Sequence, residues 1–155
     1  MKRYILSVLI FCSVFAYAQK GKESYASTLG KRKLSKTEIR VTANAIDSIK
    51  RNLNRMIMFE KELHQRNYYL NEKTTLVEEL TSIVKSLKQS LDVIELNDGD
   101  VKNIFGKPSH KTETMMLYEI ETYQSNCPFM QITFYLKQKL VTQLDYQITD
   151  CQRWK

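Results

Sequence analysis

Three observations predict an α+β fold: two capping signals that open long amphipathic runs between residues 35 and 96, a cluster of turn formers near Gly99, and two-residue alternation of apolar and polar side chains after Pro108. The expected architecture is an N-terminal helical hairpin, a short helix and a three-stranded antiparallel meander. At 155 residues, with 43% hydrophobic and 26% charged residues, the chain is a globular one, not a disordered polymer or a multi-span membrane protein.

The first eighteen residues have the form of an address. Met1-Lys2-Arg3 is basic, Tyr4–Ala18 is apolar apart from Ser7 and Ser13, and Ala16 and Ala18 are small at −3 and −1 before Gln19. This is the pattern of a secretory signal peptide cleaved at Ala18-Gln19, and it predicts a periplasmic or secreted protein. Phe11 before Cys12 does not suit a lipoprotein processing site, so no lipid anchor is expected.

Charge is unevenly placed. The chain has 24 Lys and Arg against 17 Asp and Glu, +7. Residues 19–36 hold six basic residues and only Glu23, whereas 37–155 hold 16 of each sign. The excess therefore falls in a segment read as a flexible basic tail, with Lys31, Arg32 and Lys33 able to touch anionic lipid at about 1 kcal/mol per well-placed charge. A neutral domain in an exported protein excludes nucleic acid as a partner.

Ser35-Lys36-Thr37-Glu38 is a capping box. It opens a helix over about 37–66, with an apolar stripe of Ile39, Ile46, Ile49, Leu53, Met56 and Leu63 that Thr42 and Glu60 interrupt. No Gly or Pro falls between Gly30 and Gly99. Asn67–Thr74 reads as the connection, and Thr75-Leu76-Val77-Glu78 as a second capping box. Val77, Leu80, Val84, Leu87, Leu91 and Ile94 then repeat at steps of three and four over a second helix of about 76–96. The two helices fold back on each other most simply as an antiparallel pair.

Asp98 or Asp100 caps a short helix, Val101–Phe105, which Gly106 and Pro108 stop. Residues 113–123 read as a strand, as do the alternating runs around Met130–Leu136 and Leu144–Ile148, with Lys137-Gln138-Lys139 as the loop of the last hairpin. Cys127 and Cys151 are an even pair in an oxidising compartment. With that loop, Leu136 pairs Leu140 and Cys127 falls opposite Thr149, a diagonal neighbour of Cys151 on one face. A Cys127–Cys151 disulfide is expected, worth roughly 3 kcal/mol in the chain-entropy picture, two free thiols being the alternative.

Asp100-Val101-Lys102-Asn103-Ile104-Phe105-Gly106-Lys107-Pro108, a strand bearing Tyr118, and a closing Leu144-Asp145-Tyr146 resemble the BamE-like (SmpA/OmlA) family of small envelope proteins over about residues 80–148. The resemblance implies helices on a three-stranded sheet and an association with envelope partners. It carries over no functional residues.

Catalytic patterns are sparse. Glu60 and His64 are the one pair at metal-ligand spacing, His110 lies in a loop, and Glu119 and Glu121 share a strand face. None of these builds a catalytic or metal site on its own, and no cofactor is expected. Aromatic residues are the remaining handle: Tyr68 and Tyr69 between the helices, with Tyr123, Phe129 and Tyr135 off the core face of the sheet, form the candidate protein-binding surface. The function expected is a non-catalytic exported module that binds another envelope or secreted protein. An immunity or inhibitor protein and a small periplasmic hydrolase are the alternatives.

Overall fold

Ser35 caps the first long helix as its sequence requires. Its hydroxyl accepts the Glu38 N–H while the Glu38 carboxylate accepts the Ser35 N–H, so two otherwise unpaired donors are satisfied together. In the computed structural model, which describes residues 30–65, 67–124 and 127–148, the helix that follows is α1 (Lys36–Leu63), preceded by a two-residue strand β1 (Arg32–Lys33). Then come α2 (Leu70–Ser90), β2 (Ile94–Glu95), α3 (Asp98–Phe105), β3 (His110–Lys111), β4 (Met115–Gln124), β5 (Cys127–Lys137) and β6 (Leu140–Ile148). The described residues form an α+β fold with three helices, a four-stranded antiparallel sheet β3-β4-β5-β6 and a short parallel pair β1-β2.

Several boundaries differ from those the sequence suggests, each for a local reason. α1 stops at Leu63 because His64 takes a left-handed conformation, φ 52°, as its C-cap. α2 starts six residues earlier than the Thr75 signal. The Thr74 and Thr75 hydroxyls donate to carbonyls one turn back (Leu70 and Asn71) instead of capping, and the N-cap position is Tyr69. α2 ends at Ser90, so Ile94 completes the apolar stripe from a strand. The expected tail is also shorter. The Arg32 N–H donates to the Val93 carbonyl at 3.0 Å, Arg32 pairs Ile94, and Leu34 is buried, so residues 31–36 belong to the domain.

The helices run side by side in opposite directions. Glu60, near the end of α1, meets Lys73, near the start of α2, while β1 before α1 pairs β2 after α2. Ile46, Ile49, Leu53 and Ile57 of α1 and Val77, Leu80, Val84 and Leu87 of α2 are buried. They share one core with Met116, Tyr118 and Ile120 of β4, Met130, Ile132 and Phe134 of β5, and Leu144 of β6. Phe105 of α3 closes that core in an edge-to-face cluster with Tyr118 and Phe134, ring centroids 5.2–5.8 Å apart. The Tyr118 hydroxyl donates to the Gly106 carbonyl, and burial pushes its pKa up to about 12. Gly106 sits at φ 81°, a conformation that costs a side chain dearly and ends α3. Lys50 of α1 donates to the Phe105 carbonyl at 2.8 Å, capping α3 from outside, and burial lowers its pKa.

The meander has a fourth strand that the sequence does not announce: β3 pairs Met116 and Leu117 of β4 from the edge. The last hairpin also closes more tightly than the expected three-residue loop. Lys137 pairs Leu140, and the two turn residues, Gln138 and Lys139, both have positive φ, 52° and 67°, the geometry of a type I′ turn. Neither is the Gly or Asn that this turn favours.

Two predictions follow from these local geometries. Lys139→Gly relieves the left-handed strain and raises stability by about 1 kcal/mol, read as an increase in denaturant midpoint at unchanged m. Glu38 is held down to about 2, first by the Arg32 guanidinium and further by the Ser35 donors. A carboxylate with a depressed folded pKa stabilises above its unfolded value and loses that contribution as pH falls toward the folded one. Glu38→Gln therefore lowers stability by about 1 kcal/mol near neutral pH. The gap to wild type closes between the ordinary value of 4.5 and about 2, followed by chemical denaturation at each pH.

Candidate functional site

The turn between α1 and α2 gathers the most unusual chemistry in the molecule. Glu60 ends the buried stripe of α1 and Lys73 begins that of α2, and their side chains meet at 2.6 Å with Lys73 fully buried. Both partners bond further: the second Glu60 oxygen accepts the Tyr69 N–H at 2.9 Å, and Lys73 Nζ also donates to the Tyr123 carbonyl at 3.1 Å. One ion pair thus ties together α1, α2 and β4. Tyr123 is reached because β4 bulges between Glu121 and Gln124, leaving Tyr123 at φ 41° with its ring under the Lys61 ammonium, 4.9 Å from the centroid.

Outside this polar knot lies an apolar surface. Phe59, Tyr68 and Tyr69 form a mutual aromatic cluster, with centroids 4.8–6.1 Å apart. Met58 is 55% exposed, Phe59 38%, Leu63 46% and Tyr68 61%. Beside them runs an open groove of about 450 Å³ lined by Asn52, Arg55, Met56, Phe59, Glu62 and Tyr69. Four large apolar or aromatic side chains exposed around one turn is the composition of an interface core, not of scattered surface residues.

The five aromatic candidates therefore divide. Tyr68, Tyr69 and Tyr123 share this end of the molecule. Phe129 and Tyr135 lie on the other face of the sheet, about 20 Å apart along β5. That face is not covered by α1. It carries Leu117, Glu119, Gln131, Thr133 and Gln143, with a polar ladder in which Gln147 donates to Gln131 and Gln131 donates to Glu119. Glu119 is a member of that ladder, and Glu119 and Glu121 both border a groove with Lys50 and Asn54 of α1. Glu60 is committed to Lys73, so it makes no metal pair with the exposed His64. His110 is exposed on β3, and its neighbour Ser109 accepts the Glu119 N–H. No group of three or more metal-ligating side chains forms among the described residues. Of the cysteine pair, Cys127 begins β5 and Cys151 lies outside the described residues.

The basic cluster is engaged. Lys31 donates to the Leu91 carbonyl at 2.6 Å, Arg32 grips both Glu38 oxygens, and Lys33 pairs Glu95 at 3.5 Å. Met58, Phe59, Leu63 and the Glu60–Lys73 pair are missing from the sequence-based site. Half of the signal for the pair was present: Glu60 interrupts the α1 stripe, whereas Lys73 stands one turn before Val77, in the segment that reads as the connection. No family model, curated protein or solved structure matches this chain.

Lys73→Met leaves the Glu60 carboxylate buried with no cation and costs about 3–5 kcal/mol. Adding Glu60→Gln, which keeps an acceptor for the Tyr69 N–H, recovers a large part of that loss. Urea denaturation of the two single variants and the double variant measures the coupling.

Proposed function

We propose that the protein is an exported, non-catalytic interaction module that docks another envelope or secreted protein through the aromatic end around Phe59 and Tyr68. The exposed Met58–Phe59–Leu63–Tyr68 surface carries this reading. It is a large apolar area held on a scaffold fixed by a buried ion pair, so little conformational entropy is lost when a partner covers it. The leader pattern at residues 1–18 supports export to the periplasm or beyond. The resemblance to BamE-like envelope proteins over residues 80–148 supports a protein partner in that compartment, as does the succession of α3, Gly106-Lys107-Pro108 and antiparallel strands. The engaged basic cluster argues that lipid contact through Lys31, Arg32 and Lys33 is secondary to their structural pairing.

The test compares mature protein, a Phe59→Ala/Tyr68→Ala variant and a Tyr135→Ala control as baits on envelope extract, with quantitative mass spectrometry. A stoichiometric partner retained by wild type and the control, and depleted about tenfold or more by the double variant, supports the reading. Equal capture by all three baits overturns it. The variant also loses the ring contacts among Phe59, Tyr68 and Tyr69, so capture is compared at a temperature where thermal unfolding shows all three baits folded.

A further inference from the structure

We infer that the open edge of β4 at Glu119–Glu121, with the groove between it and α1, takes an extended segment of a partner protein as an added antiparallel strand in which apolar and basic residues alternate. The backbone of β4 alternates in direction. The Leu136 N–H donates to the Thr114 carbonyl at 2.7 Å, whereas the Leu117 carbonyl accepts the Ser109 N–H at 2.8 Å. Even-numbered residues therefore bond to β5 and odd-numbered ones turn to the outer edge. β3 pairs Met116 and Leu117 and goes no further, and the Ser109 hydroxyl accepts the next outward group, the Glu119 N–H, at 3.0 Å. Beyond that point no described strand lies beside β4, and the Glu119 carbonyl and both backbone groups of Glu121 face the edge with no described partner. The open stretch ends at the bulge, where the Tyr123 carbonyl accepts Lys73.

Donors and acceptors spaced along a strand edge are met by another extended backbone, and antiparallel pairing continues the order already set from β3 to β6. The side chains of such a strand follow from the two faces. On the helix side the groove, of about 440 Å³, is lined by Ile57, Met58 and Ile120 with Lys50 and Asn54, and takes aliphatic residues. Lys50 adds no free charge there, because its ammonium is engaged by the Phe105 carbonyl. On the other face the strand meets Glu119 and Glu121, which no described Lys or Arg pairs, and takes Lys or Arg. Directly opposed residues share a face, so the residue whose backbone bonds Glu121 is a basic one. The other edge of the sheet is blunted. Tyr135 pairs Gln143 after Leu136 pairs Val141, which leaves Thr142 as an extra residue with its hydroxyl donating to the Tyr135 carbonyl, and Lys88 of α2 pairs Asp145 along that strand. Taking a protein as the occupant rests on the interaction-module reading, and Met58, which lines both this groove and the one beside Phe59, joins the two surfaces.

The test titrates the purified chain into a short fluorescein-labelled peptide of alternating Lys and Ile and follows fluorescence anisotropy. Two N-methylated copies separate backbone pairing from charge attraction, one methylated at the backbone nitrogen of every Lys and the other at that of every Ile. In the antiparallel strand the Lys N–H groups bond to the β4 edge and the Ile N–H groups face away. Methylation at Lys therefore weakens binding about tenfold or more, and methylation at Ile about twofold or less. Glu121→Lys weakens the unmodified peptide about threefold or more. No binding at about 0.5 mM protein, equal losses from the two methylation patterns, the reverse order, or unchanged affinity in Glu121→Lys overturns the inference. In the free chain the Glu121 amide exchanges hydrogen fast beside a slow Ile120 amide. A slow Glu121 amide means that the chain's own residues or a second copy already cover the edge, and it too overturns the inference. Peptide affinity in the Phe59→Ala/Tyr68→Ala variant stays within about twofold of wild type. A peptide that fails on wild type while a partner is captured from extract removes the added strand and leaves the aromatic end standing. Peptide binding without a captured partner does the reverse.

Discussion

A four-stranded sheet whose three described helices lie on one side hides the apolar surface of the described residues in one core, and their other features answer to that constraint. α1 and α2 must both lay their stripes on Met116, Ile132 and Phe134, so they lie side by side and antiparallel, and α3 fills the remaining corner with Phe105. The opposite face, which none of the described helices covers, mixes polar residues with Leu117, Phe129 and Tyr135. Its Glu119–Gln131–Gln147 ladder satisfies hydrogen-bonding groups across three strands without asking for a cover.

Where the two stripes run out, charge takes over. At the α1–α2 turn Glu60 and Lys73 complete the interior as a hydrogen-bonded pair instead of as two apolar residues. A buried pair contributes little net stability compared with packed hydrocarbon, but its geometry is demanding. Here it dictates where the Tyr69 backbone and the Tyr123 carbonyl must lie. The exposed aromatic surface therefore sits next to a hydrogen-bonded anchor that joins α1, α2 and β4.

The periodic parts of this fold were legible in the sequence because burial writes a period into the chain. The steps from Val77 to Leu91 and the alternation of Met130–Leu136 located helix and sheet core. What stayed hidden depends on partners far away in sequence. The Thr75 box looked like a start, yet the Thr74 and Thr75 hydroxyls bond back to Leu70 and Asn71 inside a helix that begins at Leu70, where Lys73 reaches Glu60 and the Tyr123 carbonyl across the chain. Arg32 and Lys33 looked like solvated tail, yet their backbone meets Ile94 and Glu95 across 62 residues. A bulge such as Thr142 is visible only when both strands are aligned. Of the site, the tyrosines at 68, 69 and 123 were readable from composition. Met58 and Phe59 were not, because nothing local distinguishes an uncovered apolar residue from a core one.

The parallel pair β1-β2 also governs the order of assembly. A chain delivered from its N-terminus presents Arg32 and Lys33 long before Ile94 and Glu95 arrive, and α1 emerges with its greasy side unmatched. Closing that long loop is entropically slow compared with forming either helix. The first described strand is thus among the last to find its place, and its arrival fastens the start of α1 to the segment just after α2.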